Sequence, residues 1–496
     1  MKVVSRRASI LAFSAALLLY LPGIWWGLPH ATAADRFHPW GSDELAPWGP
    51  VFELYNTLAG REAFFNPQYP LFHNAVQGAF AGPYAIYLRA SGRSMAPPAT
   101  EPARVLTLLA RLASLLMAAG VVVVAGRTAA VLWGRREAAL ASALVLVLYP
   151  MFYYSRTSNV DMGAMFWTSL GLEVFARCLR QGVTARRAAW FGVWAALATA
   201  SKDAAYASFL LLPLALVRRA GWRALASGAA TAVAVYLIAS GLVFHPARYR
   251  AHVEYIVQGS ERHRGIFYYS TPATASGYIS LAGQAGGHLV DAVGLPMALC
   301  AAAGLALCCK RDRAALALAL PILGVGIGVL APVRFVLFRF VFVMAYVLAL
   351  YAARALASGP RAIPLAILGC GWALLRGGDL TYQMIGDSRY AASAWLRLHA
   401  RPGDRVGYYG SPFKLPHLEP GVATVRMPAP EQPQFIVSMP IQHYEGEHER
   451  ELADETWRRL HDGTLGYRLA LQVHTRSLFR RRPVSFVNPP VTVFVR

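Results

Sequence analysis

The chain has 496 residues, 56% of them hydrophobic and 15% charged, and a mean hydropathy of +0.38. An ordinary soluble chain carries charge on roughly a quarter of its residues, so a single soluble domain is excluded, and the apolar content also excludes a disordered chain. Of the formal net charge of +22, residues 376–496 contribute only +4. The remaining excess punctuates apolar blocks and forms no continuous patch, which favours positive-inside membrane loops and anionic lipid over nucleic acid as a partner.

The apolar blocks approach the roughly 20 residues that span a bilayer as a helix. Lys2, Arg6 and Arg7 precede the first, from Ala8 to Leu28. Ala31-Thr32-Ala33 after it resembles a cleavage site, but Trp25 and Trp26 mark an interfacial anchor, so the run is read as a retained first span with the N-terminus inside. Further spans are predicted at 104–125, 137–153, 161–178, 188–201, 204–217, 223–243, 295–309, 314–331, 335–352 and 362–375, eleven in all. Alternating sides places Arg127/Arg135/Arg136, Arg180/Arg186/Arg187, Arg218/Arg219/Arg223, Lys310/Arg311/Arg313 and Arg354/Arg361 in cytoplasmic loops. The opposite short loops hold mainly Arg156, Lys202 and Arg334, an asymmetry that supports the orientation.

Two long loops, 29–103 and 245–294, then lie on the outer face within a membrane region 1–375. A moderately apolar stretch at 71–88 suits the bilayer interface. Residues 376–496 follow as an extracytoplasmic α/β domain, with helices at Ser388–Leu398 and Glu449–Leu460 and strands at Asp404–Tyr409, Gln434–Ser438, Val484–Val487 and Val491–Val495. Cys178, Cys300, Cys308, Cys309 and Cys370 sit in or beside apolar spans with no CxxC pair, as small buried residues do.

Polar residues at the edge of a span are costly and mark candidate sites. Five places qualify, all on the predicted outer face. Asp43 and Glu44 follow the first span; adjacent carboxylates suit a general base and its orienting partner, or a charge pair in a solvated loop. Arg156 and Asp161 bracket the turn between the third and fourth spans, as phosphate and hydroxyl contacts or as a mutual ion pair. Lys202 and Asp203 sit between two short spans, again with a local pair as the plainer reading. His245, Arg248 and Arg250 open the second long loop, followed by Arg262, His263, Arg264, Tyr268 and Tyr269, a basic aromatic stretch suited to an anionic headgroup or a sugar. Arg334 and Arg339 lie at the start of the tenth span; one such Arg snorkels, whereas two suggest a buried anion. His443 and His448 flank Glu445 and Glu447 without the spacing of a zinc motif. Gly324, Gly326 and Gly328 read as a helix-packing face.

The order of these pieces resembles glycosyltransferase family 39, the protein O-mannosyltransferases and lipid A aminoarabinose transferases of the GT-C superfamily. The matching elements are Asp43-Glu44 after the first span, Asn66-Pro67-Gln68-Tyr69-Pro70-Leu71, Ser155-Arg156 with Asp161, and a lone Lys202. Asp387–Leu396, Gly463–Tyr467 and Phe486–Pro490 look like the limits of the extracytoplasmic domain of bacterial relatives. The resemblance implies a GT-C-like fold in a bacterial inner membrane. It also implies inverting transfer of a sugar from a polyprenyl-phosphate donor to a lipid, glycan or protein acceptor outside the cytoplasm. By that resemblance Asp43 is the base, with Glu44 beside it and Asp161 as the second acid. Arg156, Lys202 and Arg334 contact the donor phosphate, and His245 and Arg339 are added as substrate-binding residues.

The sequence departs from the family in places. The Lys before Pro-Pro of aminoarabinose transferases is replaced by Gln68-Tyr69-Pro70, and the 245–294 loop is too short for the luminal domain of protein mannosyltransferases. No cofactor is fixed by the sequence; a divalent metal stays open, with His245, His263 and Glu44 as candidate ligands but no metal spacing. The alternative function is a transporter or flippase of lipid-linked substrates, although no paired repeat or mid-membrane broken helix is evident.

Overall fold

The computed structural model of the chain describes residues 5–30, 37–62, 67–95, 99–262, 264, 267–359, 363–430, 432–439, 447–480 and 483–496. Lys2, Ala31 to Ala33, Asn66, His263, Arg361, His443 and Glu445 lie outside the described residues. The chain divides into two compact units. The first comprises 1–21, 49–80 and 111–377, the second 22–48, 81–110 and 378–496.

The first unit is helical. Helix α1 (Arg6–Tyr20) starts at Ser5, whose hydroxyl accepts the Ala8 N–H, and stops before Pro22, which cannot continue a helix. It is therefore shorter than the predicted first span. Then come α2 (Gly49–Leu58), α3 (Leu71–Ala90), α4 (Thr100–Leu132), α5 (Arg135–Leu146), α6 (Tyr149–Tyr154), α7 (Val160–Gln181) and α8 (Ala185–Ser201). The predicted span at 137–153 is interrupted at Val147-Leu148, where Pro150 opens α6. That at 204–217 is a 3-10 turn, Asp203–Ser208, followed by α9 (Leu212–Val217).

Helix α10 (Trp222–Ala239) packs on α8 through glycine: a Cβ on Gly192 would lie 2.3 Å from the Gly228 carbonyl oxygen. Small residues give helices this close approach where apolar burial alone supplies no drive.

The predicted loop at 245–294 is in fact mostly helical, as α11 (Pro246–Arg262) and α12 (Ala275–Val293). The many charged residues of α11 hide its periodicity from a hydropathy reading. Helix α13 (Leu295–Arg311) turns 107° from α12 at Gly294, which has φ +81° and precedes Pro296. The stretch Ala315–Val333 contains α14 (Leu320–Val325), a wide turn at Gly326–Leu330 and α15 (Ala331–Val333). Helices α16 (Phe342–Leu356) and α17 (Ile363–Ile385) complete the helical run, in which the parts of α3, α4 and α17 at 81–90, 100–110 and 378–385 belong to the second unit, and α16 meets α13 where a Cβ on Gly304 would lie 1.9 Å from the Tyr351 carbonyl oxygen.

Among the described residues, four helical stretches are long and apolar enough to cross a membrane: Thr100–Leu132, Trp222–Ala239, Ala315–Val333 and Phe338–Leu356. The bent α12–α13 pair makes a fifth if it counts as one span. The predicted eleven rested on apolar runs, and several of those runs are divided by Pro and Gly into pieces shorter than a bilayer.

In the second unit, α18 (Ser388–His399) begins at Asp387, whose carboxylate accepts the Arg389 N–H. Five strands, β1 (Arg405–Tyr408), β2 (Ala423–Arg426), β3 (Phe435–Ser438), β4 (Arg468–Val473) and β5 (Val491–Val495), form one sheet in the order β2-β1-β3-β5-β4. The β1 pairings are parallel and those of β5 antiparallel. Helix α19 (Glu447–His461) joins β3 to β4. Ala392 and Leu396, one turn apart on α18, bury against Val406, Val437 and Val493; a Leu so buried contributes about 2 kcal/mol. The predicted strand at Val484–Val487 is instead a turn, and β2 and β4, which sequence reading missed, are partly exposed.

Candidate functional site

Asp161 lies in the first turn of α7, where the helix dipole favours a carboxylate. Lys202 follows the last residue of α8 in extended backbone, which throws its side chain off the helix. The two meet with Nζ 2.5 Å from Oδ1, and the Asp161 side chain is 4% exposed. Arg339, on the single turn Phe338–Val341, and Phe340, whose ring centre is 5.8 Å from the Lys202 ammonium, join them. Together with Thr168 and Ser208 these residues line a cleft of about 50 Å³, room for a phosphate-sized group or a few waters. The second carboxylate oxygen of Asp161 and the Thr168 hydroxyl are buried without a hydrogen-bond partner. Buried orphan atoms are costly, and at the wall of a cleft they mark where a ligand or water sits.

A second layer of polar side chains supports this cleft within the first unit. His252 on α11 contacts the Pro67 carbonyl at 2.6 Å and Asp203 at 3.2 Å, anchoring the residue next to Lys202. Arg248, one turn earlier, donates to Glu53 of α2 at 2.9 Å, both side chains 1% exposed, and reaches the Tyr69 carbonyl. His73 and Gln77, one turn apart on α3, both contact the Ser158 carbonyl in the turn before α7. Burial pushes the His73 imidazole down to about 4, with the Ser158 hydrogen bond and the Asp161 charge pulling the other way. It is therefore neutral near pH 7. Glu53, His73, Gln77 and His252 escaped the sequence reading. The available signal was the polar pair at i, i+4 inside the apolar 71–88 stretch.

The other expected contacts are placed as follows. The Arg156 guanidinium is buried, donating to the carbonyls of Phe152 and Leu19 beside the rings of Tyr20 and Phe152. Arg334 has φ 49° and lies over the Tyr269 ring at 5.0 Å, with Arg264 at 5.1 Å from the same ring. His245 caps α11, its Nδ1 accepting the Arg248 N–H at 3.1 Å. The cleft thus brings together Asp161, Lys202 and Arg339, but not Arg156, Arg334 or His245.

Asp43 and Glu44 belong to the second unit. Asp43 has φ 58°, in the left-handed region. Glu44 is buried and folds back so closely that a Cβ on Gly41 would lie 2.0 Å from its Oε2. Lys414 donates to the Trp40 and Gly41 carbonyls at 2.6 and 3.0 Å, and Trp40 Nε1 donates to the Leu415 carbonyl at 3.0 Å. Arg389 covers the Trp40 ring at 4.0 Å and forms a buried pair with Asp387, which also accepts from Trp26 Nε1. Burial pushes His38 down to about 4, with the Lys414 charge adding to the effect.

Among the described residues, no group of three or more His, Cys, Asp or Glu side chains is arranged to hold a metal ion.

The sequence matches no protein-family profile and no curated protein. Solved structures do match. ArnT from Cupriavidus metallidurans, bound to undecaprenyl phosphate, aligns with a TM-score of 0.51 at 12% identity over 98% of this chain and 97% of that one. The oligosaccharyltransferase of Archaeoglobus fulgidus aligns with a TM-score of 0.46 at 14% identity over 85% of this chain, which spans 62% of its length. The arabinofuranosyltransferase AftD from Mycobacteria gives 0.42 at 15% identity over 99% of this chain and 40% of its own. With ArnT aligned over nearly the full length of both chains, the protein has the fold of the GT-C membrane glycosyltransferases.

Proposed function

We propose that the chain is an integral-membrane inverting glycosyltransferase that takes a sugar from a polyprenyl-phosphate donor. The observation that carries this reading is the cleft in which Lys202 and Arg339 stand beside the buried Asp161, on a fold shared with a protein bound to undecaprenyl phosphate. Two cations around a small cavity suit a phosphate whose charge grows as it leaves. An acceptor hydroxyl is a poor nucleophile near neutral pH and needs a base. We assign that role to Asp43, with Glu44 beside it, on the family resemblance. The acceptor oxygen bonds to the anomeric carbon as the carbon–phosphate-oxygen bond breaks, the hydroxyl proton passes to the carboxylate, and polyprenyl phosphate departs. Arg156 and Arg334 as further charges for the donor, and His245 as a substrate contact, rest on the family resemblance alone, since none of them lines the cleft.

The same reading places the chain in a bacterial inner membrane, with the N-terminus cytoplasmic and residues 376–496 outside, next to a lipid, glycan or protein acceptor. The test is reconstitution of the full chain in vesicles with radiolabelled undecaprenyl-phosphate glucose, mannose and arabinose, and a cell-envelope extract as acceptor. Label transferred to acceptor supports the proposal. Movement of intact donor across the bilayer without transfer favours the transporter or flippase reading, and neither activity sinks both.

A further inference from the structure

Residues 22–48 fold with the C-terminal residues as one unit, so the Asp43-Glu44 turn is held by groups up to 375 positions away in sequence. The hold is specific in its chemistry. The single turn Pro412–Lys414 and Leu415 after it grip Trp40 twice: Lys414 Nζ donates to its carbonyl at 2.6 Å, and the Leu415 carbonyl accepts its indole N–H at 3.0 Å. The same ammonium donates to the Gly41 carbonyl at 3.0 Å. Arg389, 1% exposed and paired with Asp387, lies over the Trp40 ring at 4.0 Å. From this fixed point the chain passes through Ser42 into Asp43 at φ 58°, a conformation that a non-glycine residue holds only where its surroundings impose it. Glu44 then lies back over Gly41.

We propose that Lys414 is a positioning residue, setting the Trp40–Glu44 turn so that its carboxylates keep one productive geometry. The proposal rests on the reading of this turn as the base. A lysine suits the task because one ammonium carries three donors and can bind two successive carbonyls at once. A neutral side chain of equal length holds neither carbonyl, and a displacement of about 1 Å at a reacting group costs on the order of a hundredfold in rate.

The experiment uses the full-length protein in vesicles and compares wild type, Lys414→Met and Lys414→Arg. Hydrogen–deuterium exchange of the peptide covering 38–46 is measured beside kcat and donor KM, with whichever of the three labelled donors the wild type transfers. Lys414→Met is expected to exchange faster in that peptide and to lose roughly tenfold or more in kcat, with donor KM unchanged within about twofold, since the donor phosphate is held elsewhere. Lys414→Arg, which keeps the charge and the donors, is expected to restore both.

Wild-type exchange and wild-type kcat in Lys414→Met would overturn the proposal, as would a defect of equal size in Lys414→Arg. A rise in KM at constant kcat would also overturn it. Asp43→Asn and Glu44→Gln are run in parallel. If both turn over at the wild-type rate, the base reading fails and the catalytic consequence of Lys414 falls with it, whereas the exchange result still decides whether Lys414 holds the turn.

Discussion

Lys202 and Asp161 stand 41 residues apart in sequence and share an ion pair with Nζ 2.5 Å from Oδ1. Each had a nearer candidate partner in the sequence, Asp203 for Lys202 and Arg156 for Asp161. In the fold Asp203 meets His252, and the cross-helix pair forms where α7 begins and α8 ends.

Breaking one side of a buried pair leaves an uncompensated charge and costs about 3–5 kcal/mol. Lys202→Met should therefore lower the thermal midpoint more than Asp161→Asn does. The double variant should recover part of the loss, while binding of undecaprenyl phosphate stays weak wherever Lys202 is missing. Melting curves in detergent and a binding isotherm for undecaprenyl phosphate check this. Strictly additive stability losses would show that the pair does not couple.

Asp43→Asn keeps the shape of the side chain and removes the proton acceptor. Sugar transfer should fall by on the order of a hundredfold or more, with donor affinity retained. Full transfer by Asp43→Asn together with loss in Glu44→Gln moves the role to Glu44.

Acid should loosen the second unit. Burial pushes His417 down to about 3 and His38 to about 4, and it lowers His30 as well. The unfolded chain binds these protons near pH 6.5 and the folded one does not. Their contribution is thus whole above pH 6.5 and is lost as pH falls toward 4 and below. His417 stacks on Trp40 at 4.6 Å and on His30 at 4.9 Å, so His417→Phe should retain the stacking and flatten the pH dependence of unfolding between 6.5 and 4. Unfolding followed through tryptophan fluorescence measures it, and an unchanged slope would count against the assignment.

Close helix approach leaves no room at two glycines. Gly304→Val and Gly192→Val each place a side chain against a backbone carbonyl, of Tyr351 and Gly228 respectively. Each should cost on the order of 1–3 kcal/mol or more, seen as reduced yield of folded protein and a lower midpoint in detergent. Gly283→Ala, where a Cβ meets open space, is the control and should be neutral or slightly stabilising.

Topology is checked with reporters. A periplasm-active enzyme fused after Arg496 should be active and a cytoplasm-active one silent, as the basic asymmetry of the loops requires. The reverse pattern would mean that the span count is wrong by an odd number.

The membrane character and an α/β C-terminal domain could be read from the sequence because they rest on averages over many residues, hydropathy and strand alternation, whereas the GT-C-like fold came only through the resemblance of short motifs to glycosyltransferase family 39. Polar residues in apolar surroundings were also visible, so Asp161, Lys202 and Arg339 could be named before they were seen in one cleft. Pairing was not visible. His252 serves Asp203, and Arg248 serves Glu53, across 49 and 195 residues, and no local pattern encodes such distances. Helix α11 passed for a loop because its charges mask its period. Lys414 was not singled out in the sequence, since its two acceptors are backbone carbonyls, which carry no sequence signature.

The second unit is discontinuous, and this sets a schedule for its assembly. Trp26 finds Asp387 361 residues later, and Trp40 finds the Leu415 carbonyl 375 residues later. At a synthesis rate of roughly 5–20 residues per second, the early segment waits some tens of seconds for those partners. During that interval two tryptophans that end up fully buried stand unsheltered from holdases and proteases. A chain cut short before Asp387 lacks both partners, so it is expected to be cleared faster than the finished chain.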